Sequence, residues 1–263
     1  VEAFGREELV PRGQWLKVAG GQKARVLARS VREAPSAPGA GTRVLEVGTY
    51  CGYSALRMAS ARPGTTVLSV EADAARVLIA QSLIVFAGLS HAITVKTGHS
   101  QDVLPALAKE GRMCFDAVFL DQGGFRFLDD LLAIESNLLM RPGAVVVADN
   151  VLKPGAPAYL WHVIHGGSYD TRIEAVEEFA MPGTADWMSV STYRPGRVSQ
   201  REAAPPAEVR RLEWEARRMR ERAQARGSRD GVGFSEWASF ADRMAREFED
   251  IGIGPFQRKD MQG

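Results

Sequence analysis

Short apolar segments alternate with longer amphipathic stretches along most of this chain. The apolar segments run for five or six residues, contain many β-branched side chains and are bounded by turn residues. That pattern is typical of strands buried on both faces of a parallel sheet. It predicts strands at Thr42–Val47, Thr66–Val70, Ala92–Thr97, Phe115–Leu120 and Ala144–Ala148, with Trp187–Tyr193 as a closing antiparallel strand. We therefore expect an α/β fold with a doubly wound, mostly parallel sheet, whose ligand site lies at the carboxyl ends of the strands.

The stretches between the apolar segments have apolar side chains at helical spacing. They predict helices at Gln22–Arg32, Ser54–Ala61, Ala72–Ala87, Ser100–Glu110, Phe127–Asn137 and Tyr159–Val163. Helices that follow strands in this way cover both faces of a parallel sheet.

The character of the chain changes after Arg194. Residues 195–207 are rich in Pro, Ala and polar residues and are interpreted as a linker between residues 1–194 and a helical C-terminal extension, residues 208–263. In the extension, Ser235 is expected to cap a helix with one apolar stripe formed by Trp237, Phe240, Ala241, Met244 and Phe248. Two alternatives stay open: the stripe packs back on the sheet domain, or the helix Ser235–Glu249 docks on a protein partner.

Composition and charge limit the function classes. The 263 residues carry a formal net charge of +1, which argues against nucleic acid or an anionic membrane as a partner. No apolar run approaches the roughly 20 residues that a transmembrane helix needs. The only cysteines, Cys51 and Cys114, build no disulfide framework, so we expect a soluble protein of a reducing compartment. That compartment is the cytoplasm, or an organelle interior if a leader preceding Val1 was removed.

The segment Glu46–Ser54 carries the strongest local signal. Gly48 and Gly52 allow a sharp turn between a strand and a helix, and they let the backbone approach a ligand closely. Glu71 follows the next predicted strand, where a Rossmann-type fold has an acid that binds ribose hydroxyls. These residues predict a nucleotide-like cofactor at this edge of the sheet.

From about Trp15 to Tyr193 the sequence resembles the catechol O-methyltransferase family. The matching pieces, in family order and at family-like spacings, are Glu46–Met58, Phe86–Leu89, Ser100–Asp102, Phe119–Asp121, Ala148–Val151 and Pro154–Gly155. The resemblance implies a Rossmann-like class I methyltransferase domain that uses S-adenosylmethionine. By the same resemblance, the cofactor-binding residues are Glu46, Gly48, Tyr50 and Ser54 at the methionine end, Glu71 at the ribose, Ser100 and Gln101 at the adenine, and Asp121.

The resemblance also implies a Mg²⁺ site. Asp121, Asp149 and Asn150 match the family's three protein ligands, and carboxylate and amide oxygens are hard ligands that suit this ion. Such an ion binds both hydroxyls of an aromatic vicinal diol and lowers their pKa. Trp15 and Pro154 occupy the places where the family has apolar walls beside the substrate.

The chain departs from the family directly after Asp121. The family has His-Trp-Lys there, with the Lys as general base, whereas this chain has Gln122-Gly123-Gly124. Loss of a general base removes on the order of 10²–10⁴ in rate. We hypothesise that Lys153 supplies the lost ammonium, the alternative being a solvated loop lysine. Glu178 is the nearest candidate for the family's acid on the outer side of the substrate.

Two functions are therefore compared. The first is an S-adenosylmethionine-dependent, Mg²⁺-assisted O-methyltransferase of the catechol type that methylates a small aromatic diol. The second is a catalytically impaired methyltransferase-fold subunit of a larger assembly, favoured by the replaced base and by the added extension.

Overall fold

The computed structural model describes residues 1–12, 14, 16–36, 39–110, 114–179, 181, 183–196, 204–224 and 232–255. The strands are β1 (Arg43–Val47), β2 (Thr66–Glu71), β3 (Ile93–Thr97), β4 (Phe115–Leu120), β5 (Met140–Ala148), β6 (Tyr169–Glu177) and β7 (Ala185–Tyr193). The α-helices are α1 (Glu2–Phe4), α2 (Gln22–Glu33), α3 (Tyr53–Ala59), α4 (Ala74–Phe86), α5 (Ser100–Lys109), α6 (Phe127–Ser136), α7 (Pro157–His165), α8 (Ala207–Gln224) and α9 (Phe234–Asp250). Shorter helical turns lie at Gly5–Leu9, Val10–Arg12, Gly124–Arg126 and Val151–Gly155.

Within these described ranges the strands form one sheet in the order β3-β2-β1-β4-β5-β7-β6. Strands β1 to β5 are parallel, and β7 pairs antiparallel with both β5 and β6. This arrangement confirms the predicted doubly wound, Rossmann-like α/β fold. Strand β6 was not predicted. It lies at the sheet edge and has few apolar residues, of which Tyr169, Ile173 and Val176 are buried.

The two faces of the sheet bury separate apolar cores. One core includes Leu131 of α6 and Leu160 of α7. The other includes Leu27 of α2, Met58 of α3 and Ile84 of α4. Each face is thus covered by helices that the sequence pattern had placed between strands.

The C-terminal extension packs on the first of these cores. The buried stripe of α9 consists of Trp237, Phe240, Ala241, Met244 and Phe248. The ring centroids of Phe248 and of Trp187 on β7 are 5.8 Å apart. Of the two alternatives, packing on the sheet domain is therefore the one observed. A protein partner for Ser235–Glu249 stays a prediction, and the apolar stripe of this helix is already buried. The prediction that Ser235 caps this helix was wrong, because the helix begins at Phe234 with Gly233 as its N-cap.

No helix among the described residues is long and apolar enough to cross a membrane.

Candidate functional site

Three strand ends meet at the centre of the sheet. The residue after β4, Asp121, donates its backbone N–H to Val47 at the end of β1 (2.9 Å). The residue after β5, Asp149, donates in turn to Leu120 (3.1 Å). Because these parallel strands end in register, the carboxylates of Asp121 and Asp149 lie on neighbouring strands at the predicted ligand edge.

Gly48 allows the closest backbone approach at this edge. Its φ is +104°, in the region that favours glycine, and a Cβ at this position would overlap the carbonyl group of Asp121, whose carbon would be 2.7 Å away. The turn into α3 therefore requires glycine here. It brings the loop after β1 against the loop after β4.

Glu46 and Glu71 place two carboxylates beside this turn. Glu46 is fully buried, and its Oε2 accepts a hydrogen bond from Ser69, while Oε1 has no hydrogen-bond partner among the described residues. Burial raises the pKa of Glu46 to about 7, although the nearby Ser54 hydroxyl group and the hydrogen bond from Ser69 oppose the rise. The Glu71 carboxylate accepts backbone N–H groups from Tyr50 (2.9 Å) and Asp73 (3.0 Å), which fixes its orientation.

The predicted adenine end is organised around Ser100, the first residue of α5. Gln122 donates from Nε2 to the Ser100 hydroxyl (3.3 Å) and also to Asp130. Gln122 therefore ties the loop after β4 to the start of α5, at the position where the family resemblance implies a histidine. Gln101 is exposed beside it.

A buried ammonium group lies among the carboxylates at the centre of the site. Lys23 Nζ lies 2.9 Å from Asp149 Oδ1, 2.8 Å from Asp186 Oδ2 and 3.0 Å from Glu178 Oε2. Burial alone would lower the pKa of Lys23, but Asp149, Asp186 and Glu178 outweigh it and hold that pKa well above its ordinary value. Lys23 is therefore a fixed positive charge beside Asp149.

The two aspartates at the strand ends, Asp121 and Asp149, both have raised pKa values. Burial and repulsion from Asp149 raise the pKa of Asp121 well above its ordinary value, against the attraction of Lys23. Burial likewise raises the pKa of Asp149 to about 6, with Lys23 opposing and Asp186 adding to the rise. An additional cation between Asp121 and Asp149 would relieve this repulsion.

The donor set fits Mg²⁺. Asn150 donates a hydrogen bond from its amide nitrogen to Asp186 Oδ2 (2.6 Å). Its amide oxygen would then be available as a metal ligand together with the carboxylates of Asp121 and Asp149. No group of three His, Cys, Asp or Glu side chains in the described residues is arranged as a metal site. A divalent ion would therefore rely on two carboxylates, the Asn150 amide and oxygens from outside the protein.

Lys153 is a buried residue and not a solvated loop lysine. Its Nζ lies 3.5 Å from Glu178 Oε2 and 5.7 Å from the ring centroid of Trp237 on α9. Burial alone would raise the pKa of Glu178, but Lys23 and Lys153 hold it below its ordinary value. The structure thus brings Lys153 and Glu178 together beside Lys23, as an ion-paired group.

Gly124, at the position of the family's lysine, has no room for a side chain. A Cβ there would overlap Arg220 Nη2 of α8 and would lie 2.8 Å from the Gly155 carbonyl oxygen. Arg220 donates from Nη2 to that same carbonyl group. The extension therefore fills the space into which a residue 124 side chain would extend.

The roles of Lys23, Asp186 and Arg220 were not predictable from the pattern of the sequence. Lys23 stands near the start of an amphipathic helix, where a lysine is expected in solvent, and its partners are 155 and 163 residues away. The predicted Trp15 lies outside the described residues. Pro154, the other predicted substrate wall, is half-buried in the turn that also contains Lys153.

Comparison with known proteins agrees with this geometry. A family model described as O-methyltransferase matches residues 39–159. Catechol O-methyltransferase of Bos taurus is 41% identical over 153 residues, which are 57% of this chain and 54% of that protein. Catechol O-methyltransferase of Sus scrofa is 40% identical over 161 residues, which are 60% of this chain and 86% of that protein. The chain thus spans about half the length of the bovine relative and most of the porcine one.

Solved structures share the fold at low sequence identity. An O-methyltransferase from Bacillus cereus, in complex with SAH, superposes with a TM-score of 0.59 at 20% identity, covering 68% of this chain and 83% of that one. The O-methyltransferase TomG from Streptomyces achromogenes, in complex with SAM, gives a TM-score of 0.57 at 23% identity over 67% of this chain and 82% of that one.

Proposed function

This chain belongs to the catechol O-methyltransferase family, and we propose that it is an O-methyltransferase that uses S-adenosylmethionine and Mg²⁺ to methylate a hydroxyl group of an aromatic vicinal diol. The observation that carries the proposal is the alignment of β1, β4 and β5, which brings the Glu46–Ser54 turn, Asp121 and Asp149 to one sheet edge. The structural neighbours from Bacillus cereus and Streptomyces achromogenes, solved in complex with SAH and SAM respectively, support the choice of cofactor.

The residues around the turn suit a cationic, hydroxyl-bearing cofactor. Glu71 presents a carboxylate whose orientation two backbone N–H groups fix, and such a carboxylate accepts hydrogen bonds from a ribose diol. Glu46 keeps one buried oxygen without a partner among the described residues, as an acceptor near the methionine end. Gly48 keeps this surface free of a side chain.

Asp121, Asp149 and the Asn150 oxygen would hold the metal. When bound, S-adenosylmethionine supplies an electrophilic methyl group and Mg²⁺ supplies a charge that lowers the pKa of a nearby hydroxyl. The loops that carry Glu46–Ser54 and Asp121 would position the two reacting groups beside each other, which is the proximity part of catalysis. Lys23 fixes the Asp149 carboxylate from the protein side.

Proton removal is the step for which this chain has least provision. The family's lysine position is Gly124, and Glu178 is a poor base near neutral pH because Lys23 and Lys153 hold its pKa low. We therefore expect turnover well below that of an enzyme with the lysine. The filled space at Gly124 also favours the second candidate, a catalytically impaired subunit of an assembly.

Calorimetric titration with S-adenosylmethionine, with and without Mg²⁺, tests the proposal, followed by transfer of a labelled methyl group to catechol. We expect cofactor binding and slow transfer that Asp121→Asn abolishes and the control Asp242→Asn, at an exposed position of α9, leaves unchanged. No heat of cofactor binding at the highest soluble concentration would reject the enzyme and leave the structural subunit. Transfer that is insensitive to Asp121→Asn would reject the assigned metal site.

A further inference from the structure

Arg220 of α8 is a buried cation at the edge of the proposed site. Its side chain is 7% exposed, and its Nη2 donates to the carbonyl oxygen of Gly155. Its Nη1 is also buried and has no hydrogen-bond partner among the described residues. A buried donor without an acceptor is costly, so such an atom marks a place for a ligand oxygen.

The charge of Arg220 is also left without a close counter-ion. None of the described carboxylates lies within 4.0 Å of its guanidinium nitrogens, whereas Arg211, Arg222 and Arg243 of the same extension each form ion pairs. Burial lowers the pKa of Arg220 to about 10, with Glu213 opposing the change, so the group stays protonated at neutral pH. It is a permanent cation in a low-dielectric environment, where an anion is bound most strongly.

The loops of the site are shaped around this guanidinium. Gly124 has no Cβ where Arg220 Nη2 lies, and the Phe125 ring centroid is 5.7 Å from the Arg220 Cζ atom. Gly124 follows the proposed metal ligand Asp121 by three residues, and Gly155 follows Asn150 by five. Arg220 is therefore anchored to the same two loops that carry the proposed metal ligands.

We infer that Arg220 binds the carboxylate of an acidic aromatic diol, so that the C-terminal extension determines substrate specificity at this site. The diol part of this inference rests on the proposed function. The carboxylate part rests on the buried guanidinium group of Arg220. Nη1 supplies the donor and the guanidinium supplies the charge, while Nη2 stays on Gly155. Because Nη1 is covered by protein, binding requires a small displacement of α8 or of the turn Val151–Gly155.

The test compares two probes of the same size, 3,4-dihydroxybenzoate and 3,4-dihydroxybenzyl alcohol. Their binding to the full chain is measured by calorimetry in the presence of Mg²⁺, for the native protein, Arg220→Gln, Arg220→Lys and the control Arg218→Gln. Arg218 is exposed on the same helix and stacks on Trp214. Thermal unfolding of each variant verifies that it is folded.

We expect the native protein to bind 3,4-dihydroxybenzoate more tightly than the alcohol. Arg220→Gln should lower the affinity for the acid by about tenfold to a hundredfold, as expected for the loss of a buried charge-assisted hydrogen bond. The alcohol should be nearly unaffected, Arg220→Lys should restore part of the affinity, and Arg218→Gln should change neither probe. Equal weakening of both probes, or no weakening, would overturn the inference. Because the readout is probe binding, an acid preference that depends on Arg220 would stand even if cofactor binding and methyl transfer failed.

Discussion

Replacing Lys23 by methionine should destabilise the protein strongly at neutral and mildly alkaline pH. The Lys23 ammonium lies within 3.0 Å of an oxygen of Asp149, Asp186 and Glu178, and it is almost completely buried. Removing one partner of a buried ion pair costs about 3–5 kcal/mol, because the remaining charge has no compensation. For a domain of this size, that loss corresponds to a fall in Tm of roughly 6–20 °C.

The pH dependence of this loss follows from the linked groups. The pKa of Lys23 is raised in the folded state, so its stabilisation is fully present below its ordinary value of 10.5 and is lost only as pH rises through the higher folded value. Asp149 already has a raised pKa, and without Lys23 that pKa rises further. At low pH Asp149 is protonated in the variant, so the loss in free energy of unfolding is smaller. That loss increases as pH rises.

Urea unfolding at pH 5 and pH 8, followed by circular dichroism, measures both effects. Lys17→Met is the matched control, since Lys17 is exposed and only a few residues away. We expect a larger difference between Lys23→Met and Lys17→Met at pH 8 than at pH 5. Equal midpoints for the two variants at pH 8, or a deficit that shrinks with rising pH, would refute this account of the buried charges.

Two further changes test other parts of the site. The folded pKa of Glu46 is raised from 4.5 to about 7, so the protonated acid is favoured by folding and stability falls by about 3 kcal/mol as pH rises through that window. Glu46→Gln should reduce the pH dependence of the unfolding free energy between pH 4.5 and 7, and the part that remains comes from Asp121 and Asp149. A pH dependence equal to that of the native protein would show that Glu46 is not a source of it. Gly124→Ala should destabilise the protein by about 1–3 kcal/mol, since the new Cβ would lie 2.8 Å from the backbone carbonyl oxygen of Gly155, overlap Arg220 Nη2 and overpack a buried site. Gly233→Ala is its control for thermal unfolding, because Gly233 is exposed, has no atom within 4 Å of a Cβ position and, like Gly124, has no positive φ. A loss at Gly124 no larger than that at Gly233 would contradict the crowding.

The sheet and its ligand edge were predictable because their signals are local. A run such as Phe115–Leu120 is buried at every position, so hydrophobicity alone identifies it, and the polar residue that follows it must stand at the strand end. Strand β6 gave a weaker signal, since charged residues separate its buried positions, and these lie on both faces, with Tyr169 and Ile173 on one and Val176 on the other. Strand β3 lies at the opposite edge and was predicted, because Ile93, Thr94 and Val95 form an uninterrupted β-branched run.

The charges at the centre of the site were not predictable from local pattern. Lys23 becomes a buried ion-pair partner only when strands from the far end of the chain arrive beside it. Arg220 did carry a partial signal, because it lies four residues after Ala216 and eight after Leu212 and so continues the buried stripe of α8. In a helix dense in arginine, however, spacing alone does not distinguish a buried guanidinium from its solvated neighbours.

The order in which this chain is made has a consequence for the turn Val151–Gly155. Its cover comes from α8 and α9, and Met244 would contact a Cβ at Gly155 at 3.2 Å, almost ninety residues further along the chain. During synthesis, the parallel sheet has all its strands once residue 193 has emerged, while the apolar surface around the turn stays open to water until α9 arrives. A segment that leaves the ribosome after every strand of the sheet is therefore the one that covers this turn, so a nascent chain passes through a stage with a complete sheet and an uncovered turn.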